Sequence, residues 1–291
     1  MSIGMSLFVI VGTLGSLAAY FLLLHFNRSV TRPGETTGHE YDGIEEYDNP
    51  LPSWWYWMYV LSIIFALAYL AYYPGLGNFE GLAGWTQLTQ LEKEQAMAEE
   101  KYGPIFAVYR EIPIDELKEN PAAMKMGRRI FANNCSVCHG ATGTGSFGFP
   151  NLVDEEWMWG HTAQDIETTI SSGRNAAMLA WGDILGKQGV TEVAEYVEQI
   201  AARDVDPEVA LRGEAHYQLY CVACHGPEGK GQKIFGAPDL TNEIWLYGNS
   251  RARIEHVIKN GRNGVMPSFK SKLGADKVHI LSAYVLSLQD S

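Results

Sequence analysis

The sequence predicts a mainly α-helical chain in which two transmembrane helices are followed by two tandem copies of one small helical domain. Three observations predict it. The stretches 1–27 and 50–79 contain no Asp, Glu, Lys or Arg, the remainder reads as polar globular sequence, and the second half of the chain matches itself at a nearly constant spacing. With 291 residues, 46% hydrophobic and 19% charged, the chain is long enough for two or three small domains and unlike a disordered or fibrous protein.

The apolar runs come first. A bilayer core needs about 20 apolar helical residues, and Ile3–Phe26 and Trp54–Tyr73 both reach that length. The first has no basic segment before it and no small-residue cleavage site after it, so it reads as an uncleaved span and not as a signal peptide. The second opens with Trp54, Trp55, Tyr56 and Trp57 and closes with Tyr69, Tyr72 and Tyr73, as aromatic belts at two headgroup levels would. Arg28 and Arg32 follow the first span, and no Lys or Arg follows the second until Lys93. The positive-inside rule therefore puts the connecting loop in the cytoplasm and both termini outside. These readings divide the chain into a span over 1–27, a cytoplasmic loop over 28–53, a span over 54–76, a periplasmic linker with a charged helix over 77–120, and two domains over 121–203 and 204–291.

The four cysteines all fall in two short motifs, Cys135-Ser-Val-Cys138-His139 and Cys221-Val-Ala-Cys224-His225. Two thiols around one helical turn can form thioethers with the two vinyl groups of one porphyrin, and the adjoining imidazole then faces the iron. Zinc ribbons bring their two cysteine pairs much closer together, and disulfides would leave both histidines without a reason. The expected cofactors are therefore two covalently bound haem c groups. Haem c is assembled outside the cytoplasm in c-type cytochromes, which agrees with the orientation read from the arginines.

The repeat locates the remaining ligands. At an offset of 86 residues Gly127 meets Gly213, Phe131 meets Tyr217 and the two cysteine motifs coincide. At 88, Pro150 meets Pro238, Trp157 meets Trp245 and Tyr196-Val197 meets Tyr284-Val285. Gly173-Arg174-Asn175-Ala-Ala-Met178 then aligns with Gly261-Arg262-Asn263-Gly-Val-Met266. An iron that only carries electrons needs a sixth ligand, and the recurrence of methionine at one aligned loop position nominates Met178 and Met266, giving each haem His/Met ligation through His139 or His225. Met158, Met124 and Met126 are fallbacks for the first centre. Pairing within each copy suits the spacing, and a crossed arrangement between the halves stays open. Helical spacing is also seen over 190–200 and 278–288, so a helix leads into each motif and another closes each copy. His25 is expected at the membrane surface, and His39, His161, His216, His256 and His279 as ordinary surface residues, with a bis-histidine centre through His161 or His256 as a minor alternative.

Each copy resembles a small class I cytochrome c domain. That resemblance implies a carbonyl at or near Pro150 and Pro238 accepting the second imidazole N–H of His139 and His225. Trp157, Trp245, Arg174 and Arg262 are open to two roles, holding haem propionates or packing. The segment Tyr41-Asp-Gly-Ile-Glu-Glu-Tyr-Asp-Asn-Pro-Leu-Pro-Ser-Trp-Trp55, leading into a span and followed by two haem c motifs, resembles the membrane-anchored dihaem subunit of cbb3-type cytochrome c oxidases. The resemblance implies an electron-transfer subunit of the bacterial inner membrane with periplasmic haem domains and no catalytic residues of its own. Its implied partners are the lipid bilayer, soluble or membrane-bound cytochrome c donors, a monohaem c subunit and a haem–copper catalytic subunit. No nucleic-acid partner is expected. A net charge of −12 suits the steering of basic partner faces. Three alternatives share some of these features: a free-standing dihaem donor, the cytochrome subunit of a periplasmic dehydrogenase, and a dihaem peroxidase or gas sensor.

Overall fold

The computed structural model describes residues 1–27 and 34–290, so the two arginines of the orientation argument, Arg28 and Arg32, lie outside the described residues. The chain forms two compact units, 1–101 and 102–291.

In the first unit the two apolar runs are helices, α1 over Ile3–Phe26 and α2 over Ser53–Tyr72. Ser2 caps α1 and Pro52 sets the entry to α2. After α2 the chain returns to the start of α1, where the Asn78 N–H donates to Ser6 Oγ at 2.9 Å and the Asn78 side chain donates to the Met1 carbonyl. The start of α1 and the end of α2 are therefore neighbours, which makes the pair a helical hairpin with both outer ends on one side. Their large side chains point outward, among them Phe8, Leu22, Trp54, Trp57 and Phe65. Outward-facing apolar side chains on 24- and 20-residue helices suit a lipid surround. Between the helices the expected loop holds a β-hairpin, β1 over Thr36–Tyr41 and β2 over Ile44–Tyr47. Asp42 and Gly43 both adopt positive φ, as a two-residue turn of type I′ requires, and the Asp-Gly dipeptide is its usual signal. The charged stretch predicted as a helix forms α3, Gln87–Ala107.

The second unit carries both cysteine motifs. α4 (Ile114–Leu117) is followed by α5 (Pro121–Asn134), α6 (Ser136–His139), α7 (Ala163–Ser172), β3 (Arg174–Met178) and α8 (Gly182–Ile200). The second copy repeats this as α9 (Pro207–Tyr220), α10 (Val222–His225), α11 (Arg251–Asn260), β4 (Arg262–Met266), α12 (Lys270–Leu273) and α13 (Ala275–Ser287). Local chemistry repeats as well. Asn120-Pro121 and Asp206-Pro207 start α5 and α9 in the same way, with the side chain accepting two backbone N–H groups and proline in the first turn.

The closing helices are exchanged, and this corrects the expectation that each copy closes on itself. α13, from the second copy, packs on α5 and α7 of the first, while α8 of the first packs on α9 and α11 of the second. One core joins Leu117, Phe131, Ile166 and Ile170 to Val278, Ile280, Leu281 and Val285. The other joins Val193, Tyr196 and Val197 to Tyr217, Ile254 and Ile258. Equivalent aromatic pairs mark both seams, Phe131 with Tyr284 at 5.5 Å and Tyr217 with Tyr196 at 5.1 Å. β3 and β4 form the crossover as an antiparallel ribbon in which Arg174 faces Met266 and Met178 faces Arg262.

The end of the stretch read as a linker also joins the first core. Ile114 and Leu117 are buried against it, Arg110 makes a bidentate ion pair with Asp276 at 2.7 Å, and His279 Nε2 donates to the Ile112 carbonyl at 2.8 Å. His279 is thus no ordinary surface residue: its other ring nitrogen lies 3.4 Å from Glu167. α13 needs these contacts because its outer face would otherwise leave apolar surface in water.

Candidate functional site

Each cysteine motif forms in the same way. α5 and α9 end at a cysteine, Cys135 or Cys221, whose backbone departs from ideal helix, and one further turn carries the second cysteine and the histidine. The His139 N–H donates to the Cys135 carbonyl at 2.9 Å, and that of His225 to the Cys221 carbonyl at 3.0 Å. None of the four cysteines forms a disulfide. Burial, reinforced by the neighbouring Cys138 or Cys224, pushes Cys135 and Cys221 up to about 11, so both are protonated thiols at neutral pH.

The imidazoles are oriented from behind. His139 Nδ1 lies 2.9 Å from the Pro150 carbonyl and His225 Nδ1 lies 3.3 Å from that of Pro238. A carbonyl only accepts, so Nδ1 carries the proton and Nε2 keeps its lone pair for a metal. Burial also lowers the pKa of His225, which favours the neutral, ligating form. Each proline loop is held to its own motif: Gly145 N–H donates to the His139 carbonyl and Gly231 N–H to that of His225, both at 2.8 Å.

The exchange of helices decides which methionine meets which motif. Cys135, Leu152, Trp157 and Met266 pack against the first core, whereas Cys221, Leu240, Trp245 and Met178 pack against the second. Met266 therefore borders the core that the Cys135 motif also borders, and Met178 the core that the Cys221 motif borders. Met124 and Met126 lie on α5 beside the first core. His256 is exposed on α11 and bonds Asn260 on its own helix.

The open question about the tryptophans and arginines divides. Trp157 Nε1 donates to the Asp154 carbonyl and Trp245 Nε1 to that of Asn242, both at 2.9 Å, so each indole N–H is satisfied within its own loop. Arg174 lies over Trp159 and donates to Thr169 Oγ1 at 2.9 Å. Arg262 lies over Tyr247 in the same way, but Val257 occupies the place of Thr169, and the buried Arg262 Nε has no partner among the described residues. A buried guanidinium nitrogen without an acceptor suits an anionic group of a cofactor bound there.

The sequence reading passed over residues that brace the proline loops from the opposite copy. Trp159 lies against Gly236, and Tyr247, its equivalent at the 88-residue offset, lies against Gly148. Glu156 accepts from the Asp239 N–H at 3.1 Å and from the Asn242 side chain at 2.6 Å. The repetition of an aromatic at 159 and 247 was the available signal.

The paired thiols, the oriented imidazoles and the methionine of the facing strand, Met266 beside the first core and Met178 beside the second, form two equivalent sites that fit haem c. Comparison with known proteins points the same way. Residues 33–80 match the model of the N-terminal domain of cytochrome oxidase-cbb3, FixP, and residues 122–197 and 208–285 match that of cytochrome c oxidase, cbb3-type, subunit III. The chain belongs to the subunit III family of cbb3-type cytochrome c oxidases. Among this family it is 39% identical to the cbb3-type cytochrome c oxidase subunit CcoP of Rubrivivax gelatinosus, over 99% of this chain and 96% of that protein. It is 38% identical to the subunit FixP of Azorhizobium caulinodans over 87% of this chain and 92% of that protein, and 38% identical to CcoP of Azospirillum brasilense over 87% and 95%. Membership of the subunit III family accounts for the pre-span segment and both cysteine motifs in one chain.

Proposed function

We propose that this subunit holds two haem c groups and relays single electrons from donor cytochromes c toward the monohaem c and haem–copper subunits of a cbb3-type oxidase. The relay lies on the periplasmic face of the inner membrane, and oxygen is reduced elsewhere in the complex. Haem iron with one histidine and one methionine ligand changes by one electron and has no open position for substrate. Cys135 and Cys138 would anchor one porphyrin, with His139 on one face and Met266 on the other. Cys221 and Cys224 would anchor the second, between His225 and Met178.

The observation that carries this reading is the sharing of cores, Met266 with Cys135 and Met178 with Cys221. The Pro150 and Pro238 carbonyls hold the imidazoles in their ligating tautomer. The helical hairpin and the absence of charge in both of its helices support anchoring in the membrane. Outer ends on one side agree with placing the haem region in the periplasm, where haem c is assembled.

Purification in mild detergent with haem staining tests the proposal. The expected result is a chain that keeps its colour in denaturing gels, contains two haems and co-purifies with a haem–copper subunit. A colourless chain, or one that loses its porphyrin to acidified organic solvent, overturns the haem assignment. A dihaem chain that always purifies alone overturns the oxidase assignment.

A further inference from the structure

α8 and α13 occupy equivalent places in the two copies and bury the same apolar seam, Val190, Val193 and Val197 on one and Val278, Leu281 and Val285 on the other, yet a second buried stripe is chemically opposite. On α8, Glu192, Glu195 and Glu198 follow one another at successive turns and are only 5%, 4% and 8% exposed. At the aligned positions of α13, 88 residues on, stand Ile280, Ala283 and Leu286, which are equally buried.

The helices that receive them differ in the matching sense. Arg212 of α9 donates to Glu192 at 2.7 Å, and Arg251 of α11 bonds Glu195 and also Glu198, the latter at 2.6 Å. Glu195 further accepts the Asp206 N–H that opens α9, at 2.8 Å. In the first copy the positions of Arg212 and Arg251 hold Met126 and Ala163. Closure of each copy by its own helix would bury three carboxylates against Met126 and Ala163, and would set Arg212 and Arg251 against Ile280, Ala283 and Leu286. A buried charge stripped of its partner is strongly destabilising, whereas the same charge paired and hydrogen-bonded is tolerated. The use of polar pairs to fix which helices associate is well attested in coiled coils.

We infer that the carboxylate stripe of α8 and the arginines of α9 and α11 form a pairing key that selects which helix closes which haem unit, and thereby which methionine reaches which iron. Helix exchange is seen directly in the fold, so the inference rests on the proposed crossed ligation only for its readout.

The test uses the full chain with Cys135→Ala and Cys138→Ala, which leaves one haem at Cys221 and Cys224, and follows the methionine–iron absorption band. In this parent, Met178→Ala should abolish the band and Met266→Ala should leave it. The reverse result overturns the crossed ligation and the inference with it. Exchanging the stripes (Glu192→Ile, Glu195→Ala and Glu198→Leu with Ile280→Glu, Ala283→Glu and Leu286→Glu) should make the band depend on Met266. If it still depends on Met178, the key is disproved while the crossed ligation stands. Should the exchanged chain not fold, a neutral version (Glu192→Ile, Glu195→Ala, Glu198→Leu, Arg212→Met, Arg251→Ala) contains only residues that the other unit already packs. Without a key the two closures become comparable, and roughly half of the band should survive either methionine replacement. Complete loss with Met178→Ala alone would overturn the inference.

Discussion

Gly173 lies so close to the Met266 carbonyl that a methyl group on its Cα would overlap that oxygen, and Gly261 stands in the same relation to the Met178 carbonyl. Both glycines also have positive φ, +73° and +68°. Each closes the helix before its own methionine strand while touching the methionine strand of the other copy, so the two sites share a joint.

Gly173→Ala should therefore act on the methionine it touches. It combines backbone strain with a steric clash, an expected loss of about 1–3 kcal/mol of stability. The absorption band of the Met266 centre should weaken, and that of the Met178 centre should persist. Equal loss of both bands would show that the ribbon fails as a whole.

The proline carbonyls should tune the two centres separately. Pro150→Ala and Pro238→Ala loosen the backbone that holds each acceptor, and each should shift one midpoint potential in a redox titration. The shorter contact, 2.9 Å at His139 against 3.3 Å at His225, would make the His139 imidazole the more electron-rich ligand of the proposed pair. By this effect the His139 centre should titrate at the lower potential.

Glu156 reaches across from the first copy to the loop behind His225. Glu156→Ala removes the acceptor of the Asp239 N–H and of the Asn242 side chain. About 1–3 kcal/mol of stability should be lost, and the potential of the His225 centre should move while that of the His139 centre stays in place. Movement of both potentials would point to a general loosening.

Stability against pH should show two opposed carboxylates on α8. The Arg212 hydrogen bond, and then that of Gln188, hold the Glu192 carboxyl below its ordinary range. Its stabilisation is present above the unfolded pKa and disappears as pH falls through the folded value. Although Arg251 pairs with it, burial pushes Glu198 up against the opposing charge of Arg203, so its contribution has the other sign and acidification relieves it. Glu192→Gln should flatten the acid branch of the stability profile and Glu198→Gln should steepen it, measured by denaturant unfolding between neutral pH and about pH 3.

Much of the molecule was readable from local pattern. Charge-free length marked α1 and α2, the spacing of two cysteines and a histidine marked both short cysteine-bearing turns, and the 86- and 88-residue offsets marked Met178 and Met266 as equivalent positions. The Asp42-Gly43 hairpin was equally local and was missed because the loop was read only for its charges. The braces Trp159 and Tyr247 were missed because an aromatic pair in a repeat looks the same whether it packs on its own copy or on the other.

By itself the sequence determined the available chemistry: two pairs of thiols each followed by an imidazole, two methionines at one aligned position, and two helices long and apolar enough to cross a membrane. These follow from covalent spacing and from the cost of taking a backbone into hydrocarbon, neither of which needs a distant partner. Only the tertiary structure decided that α13 closes the Cys135 unit and α8 the Cys221 unit. Two equal repeats offer periodicity no means of telling one closing helix from the other, and the difference lies in side chains that meet only when the chain has folded, Glu192 with Arg212 in one unit and Ile280 in the apolar core of Leu117 and Phe131 in the other.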